Sequence, residues 1–149
     1  GRPAEALSAH QKAVDFKPDA PLLRINLAHA MLESQDREQL NKAVDQLKRA
    51  VALEPDNTMG WRLMSQAYAS LGKEGEARLA SAEYYFALRQ TNQANQFALR
   101  ARDMLDRNSI EWRRATDIVL SSGASEADIR DAERRNQERT GHVVTKPVS

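Results

Sequence analysis

The feature that most constrains this chain is a near-repetition. HQKAVDFKPDA, from His10 to Ala20, is echoed by LKRAVALEPDN, from Leu47 to Asn57, with Pro18 and Pro55 in register. Aligned on those prolines, Ala6, His10 and Ala13 fall on Ala43, Leu47 and Ala50, and Val14 falls on Val51. Steps of four and three put the first three positions on one face of a helix, and the proline then stops it. A small–bulky–small face suits a helix that packs close against two neighbours. Helix pairs recurring roughly every 34 to 40 residues cannot bury their apolar faces singly, so they stack.

Composition agrees and narrows the function. The chain has 149 residues, 41% apolar but only 5% aromatic, so an Ala- and Leu-rich core with close helix approach is expected. A net charge of +1 gives no electrostatic case for nucleic acid or an anionic membrane surface. There is no cysteine, which excludes disulfides and thiolate metal sites but leaves the redox compartment open. No apolar run approaches the roughly 18 residues of a membrane span.

The segment after Pro55 is the most informative. Trp61, Met64, Ser65, Tyr68, Gly72 and Ala77 stand at the spacing of the tetratricopeptide (TPR) pattern W-x2-L-G-x2-Y…G…A, and the chain resembles that superfamily. GKEGEA from Gly72 matches GRPAEA from Gly1, so the sequence is expected to start mid-repeat, as a piece of a longer protein. The expected helices run from about Pro3 to Phe16, Pro21 to Glu33, Gln39 to Leu53, Thr58 to Ser70 and Glu74 to Leu88. No proline closes the last of these. It is expected to run on through AEYYFALRQ and to double as the first helix of a fourth, degenerate repeat. Ala94, Ala98 and Ala101 repeat the four–three spacing on a helix from about Thr91 to Leu105. A closing helix spans Ile110 to Ser122, capped by Asn108 or Ser109 and stopped by Gly123. The fold class is therefore all-α, a right-handed TPR superhelix of three to four helix pairs over residues 1–123. Residues 124–149 are expected to be a polar tail, either a solvated helix or disordered.

Three stretches carry a narrower resemblance: LEPDNTMGWRLMSQAYASLGKEGEARLASAEYYFALRQ, the lengthened loop in SQDREQLNKAVDQLKRAVALEPDN, and NSIEWRRATDIV. Together they resemble the C-terminal TPR domain of BepA-like bacterial zinc metallopeptidases, in which an H-E-x-x-H protease domain precedes the repeats. The resemblance implies a periplasmic protein acting in quality control of outer-membrane assembly. It also implies zinc in the upstream protease domain, and a TPR domain that engages substrate or assembly partners and packs on that domain. Arg89, Gln90 and Thr91 depart from the Gly-Asp frequent at that turn. The alternatives are a stand-alone TPR scaffold in envelope or pilus assembly and a self-associating module.

The chain itself carries no catalytic constellation. His10, His29 and His142 form no zinc-ligand pair, there is no phosphate loop, and no nucleophile stands with a histidine. Binding is expected on the face lined by the first helix of each pair. That face is read as Leu22, Ile25, His29, Leu32 and Glu33, then Met59, Arg62, Gln66, Ala69 and Ser70, continued by Leu79, Glu83 and Phe86. It would hold a protein or unfolded peptide, or dock on the chain's own upstream protease domain. Trp61, Tyr68, Tyr84 and Tyr85 are read as core, with Tyr84 splaying its helices.

Overall fold

The computed structural model describes residues 2–123 and 126–140. Eight helices follow one another: α1 (Arg2–Phe16), α2 (Pro21–Leu32), α3 (Arg37–Leu53), α4 (Thr58–Ser70), α5 (Glu74–Ala87), α6 (Thr91–Met104), α7 (Ile110–Ser121) and α8 (Glu126–Thr140). Each of α2 to α7 packs on its predecessor in the chain, which is the arrangement of a tetratricopeptide-type α-solenoid. Side-chain caps fix several starts. Asp36 accepts from the Gln39 amide, so α3 begins two residues before the expected Gln39. Asn57 accepts from Gly60 N, and Ser109 accepts from Trp112 N.

The repeated face is buried where a neighbour covers it. Ala43, Leu47 and Ala50 are sealed in a first core that runs from α1 to α5. Gly60 is the close-approach point there: an added Cβ would lie 2.9 Å from Val51 Cγ1 and 3.8 Å from Ile25 Cδ1. On α1 the equivalent face is open, with Ala6 exposed and His10 and Ala13 half-buried. A second core joins α5 to α8 through Ala82, Ala94, Ala98, Ala101 and Ala115, with Ile118, Val119 and Ile129.

Helix α5 belongs to both cores. Ala77 and Ala80 face the first, and Ala82 faces the second. Its packing on α6 is the most extensive in the molecule. In the first half the helices that touch across a pair are α2 and α4; in the second half they are α5 and α7. Helix α5 therefore closes one pair as its second helix and opens the next as its first, and the alternation shifts by one helix.

The turns record the same shift. After α4, the amides of Gly72 and Lys73 return to Ala69 O and Tyr68 O, with Gly72 at φ +75. After α5, the amides of Arg89 and Gln90 return to Phe86 O and Tyr85 O, with Arg89 at φ +61. Both are the same left-handed helix stop. This stop ends α5 at Ala87, one residue before the expected Leu88, so the helix does not continue through Arg89 and Gln90. The Tyr84 ring meets Tyr85 edge-on at 5.1 Å, and Tyr85 stacks on Phe97 of α6 at 5.4 Å.

Beyond Gly123, α8 is helical and one side of it is packed. Ile129 is buried in the second core, and Glu133 pairs with Arg102 at 3.0 Å and Arg107 at 3.7 Å. Arg102 also donates to Thr116 Oγ1 at 2.8 Å and lies over the Trp112 ring at 4.5 Å. The expected looseness of residues 141–149 lies outside the described residues.

A side chain with a Cβ is strained in the left-handed region, at an order of about 1 kcal/mol. Arg89→Gly should therefore raise stability by about 1 kcal/mol. Urea unfolding of the two chains checks this; an unchanged or lower midpoint would show that Arg89 makes compensating contacts.

Candidate interaction surface

The expected binding face divides in two. Leu22, His29 and Glu33 lie exposed along α2, with Leu22 at 65%. Met59, Arg62, Gln66, Ala69 and Ser70 lie exposed along α4, and Arg62 Nη2 folds back to 3.1 Å from Met59 Sδ. The packing of α2 on α4 brings the two helices that carry these stripes side by side. Ile25 and Leu32 do not join the stripes. They are 4% and 3% exposed, one position round the helix from the Leu22–His29–Glu33 stripe. Ile25 instead faces Gly60 across the α2–α4 seam. Both are core residues.

Glu83 is also removed from that surface. It is 8% exposed, and both its oxygens accept from Arg114 on α7, from Nε at 2.9 Å and from Nη2 at 2.6 Å. This hydrogen bonding holds the Arg114 guanidinium above its ordinary pKa. The Arg114 guanidinium also lies 5.7 Å from the centre of the Phe86 ring. The pair clamps α5 to α7 at the point where the helix alternation shifts.

Next to this clamp is a cleft that takes in Glu83 and Phe86 from the expected continuation of the binding face, together with residues of α4 and α7 that the sequence did not group with them. It measures ≈ 790 Å³ and is lined by Pro55, Trp61, Phe86, Arg89, Arg114 and Ser121, among others. An adjoining hollow of ≈ 210 Å³ shares Trp61, Glu83 and Arg114 and adds Met64, Leu79 and Ile110. Trp61 donates its Nε1 proton to Pro55 O at 2.7 Å and presents a half-buried ring to both spaces. It is thus core on one side and cleft wall on the other. Ile110, at 77% exposed, stands at the start of α7 beside the hollow.

Two polar anchors and one buried tyrosine lie among the helices that carry these surfaces. Ser65, in the slot usually small in such repeats, lies 3.1 Å from Ala77 O and 2.8 Å from Ser81 Oγ, joining α4 to α5. Arg24 donates to Pro18 O and Gln46 Oε1, each at 2.8 Å. Tyr68 is buried in the first core. Its hydroxyl pKa is pushed up to about 12 by desolvation, with smaller contributions from Glu76, Glu111 and Asp45. Among the described residues no group of three or more His, Cys, Asp or Glu side chains is placed to hold a metal ion. No described helix is long and apolar enough to cross a membrane.

The tetratricopeptide repeat family profile matches residues 1–67, from α1 into α4. No curated protein was found to match the chain. The family match covers 67 of the 149 residues, and the described residues as a whole are all-helical, with consecutive helices packed as in a TPR-type α-solenoid. The profile ends within α4, and the shift at α5 follows, where the regular pattern gives way.

Removing Arg114 would leave the Glu83 carboxylate buried without its partner. Arg114→Ala should cost about 2 kcal/mol, toward the low end for a buried pair because Arg114 is partly in water. Arg114→Lys should recover only part, since ammonium cannot reproduce the two-pronged geometry. Urea denaturation reads both; equal stability of all three chains would rule out the clamp. Tyr68 carries a pH prediction. The folded state keeps its proton more tightly than the unfolded state does, so its contribution is complete below pH 10 and is lost as pH rises toward 12. Tyr68→Phe should flatten the fall of stability over that window relative to the parent chain.

Proposed function

We propose that this chain is a recognition module that binds protein segments on the joined α2–α4 surface and performs no chemistry itself. The observation that carries the proposal is the exposed row of Leu22, His29 and Glu33 beside Met59, Arg62, Gln66 and Ser70, mounted on two packed helices. Rigid helices hold such side chains at fixed spacing, so an incoming segment meets an ordered set of apolar and polar contacts. The surface mixes one cation, one acid and one histidine with amides and apolar groups. An extended peptide of mixed polarity suits it better than a run of like charge.

We further propose the narrower setting that the sequence resemblance implies. In it the chain serves a periplasmic zinc-dependent metallopeptidase of the BepA-like type, presenting unfolded outer-membrane-protein segments or docking on the protease domain. The support is the three quoted stretches alone. An H-E-x-x-H motif behind a signal peptide, encoded upstream in the same reading frame, would support this setting; further repeats and no signal peptide would favour a scaffold.

Titration with unfolded outer-membrane-protein peptides, followed by amide chemical shifts, tests the binding surface. The His29, Arg62 and Gln66 amides should shift and saturate. Arg62→Glu should weaken binding about fivefold or more, because it reverses a charge at the centre of the surface. Amides that stay put at millimolar peptide would end the proposal.

A further inference from the structure

We propose that the cleft between α4 and α7 is a docking site for an amphipathic helix from a protein partner, lying along α5. This goes beyond the α2–α4 surface and does not depend on it. In the first half of the molecule, α4 has α2 beside it as a neighbour of the same kind. On its other side the alternation shifts: α5 closes the pair with α4 and opens the next, and α7 packs on α5. The space left between α4 and α7 has a floor made by α5, where Leu79 and Phe86 line it, and walls carrying Trp61 and Ile110.

From Glu76 to Ala87 the floor runs about 16 Å at 1.5 Å per residue, or three turns. Trp61, Leu79, Phe86 and Ile110 offer apolar contacts along that length, the pattern that anchors at i, i+3 or i+4 and i+7 fill.

The polar groups set a direction. Glu76 and Glu111 line the hollow at one end, and Lys48 is the cation beside them. Their field acts there, since both carboxylates help to raise the pKa of Tyr68. At the other end Arg89, Thr91 and Ser121 supply N–H and O–H donors around Asp56, the second acid of the cleft, Glu83, being already paired with Arg114. A helix leaves unpaired N–H groups and partial positive charge at its start, and unpaired carbonyls at its end. It would therefore sit with its N-terminus at Glu76 and Glu111 and its C-terminus at Arg89, parallel to α5 and α7.

The test uses the 149-residue chain and two hydrocarbon-stapled 14-residue helices with Leu at positions 4, 8 and 11. One has Lys in its first turn and Glu in its last, and the other has the two exchanged. Isothermal titration should give the first a dissociation constant at least about fivefold lower, and amide shifts should centre on Trp61, Phe86 and Ile110. Ile110→Arg, a change at an exposed side chain, should weaken it about tenfold while thermal unfolding stays put. An unstapled, Pro-substituted version should lose binding. Equal affinity of the two helices, indifference to Ile110→Arg, or no binding at millimolar peptide would each overturn the proposal. Shifts confined to His29, Arg62 and Gln66 would overturn it too, while leaving the α2–α4 recognition surface standing.

Discussion

The structure depends on one helix burying two faces. α5 must satisfy α4 on one side and α6 and α7 on the other, and it does so with alanines. Ala77 and Ala80 let α4 approach, and Ala82, opposite Ala94, Ala98 and Ala101, closes the second core. Larger side chains at these positions would hold the neighbours apart, since well-packed interiors absorb added volume poorly. The longer residues sit toward the ends and edges of the contact. Tyr85 stacks on Phe97, and Glu83 reaches Arg114. Once α5 is shared, the shift in alternation, the clamp and the cleft all follow from where its remaining face points.

Much of this was legible in the sequence. Proline, capping residues and the four–three spacing of small residues place most helix limits within one or two positions, because these signals are local. Ala94, Ala98 and Ala101 are all fully buried, as their spacing implies. The double role of α5 was readable from the missing proline, although the left-handed stop at Arg89 was not. A left-handed stop is normally announced by Gly, and here Arg89 takes the conformation under constraint from Tyr85 O and Phe86 O.

What sequence could not supply were partners distant along the chain. Pattern rules assign charged residues to water, yet Arg24, Glu83 and Arg102 are all buried, each paired across helices. Ile25 and Leu32 were misplaced for a geometric reason. On α2 the buried and exposed stripes differ by a single position, and a repeat register alone does not fix rotation that finely. Similarly, α8 has too few apolar residues to announce a buried side, and one isoleucine with one glutamate suffices to seat it.

The shared helix also alters the outline of the edges. In a regular stack the tight glycine-type turns lie along one edge and the longer connections along the other. Here Gly72 marks such a turn at the start of α5 and Arg89 marks the same turn at its end. The two edges thus exchange character halfway along the molecule. A long partner that follows one edge from α1 would meet short turns on only half of its path, and would then find the longer connections facing it.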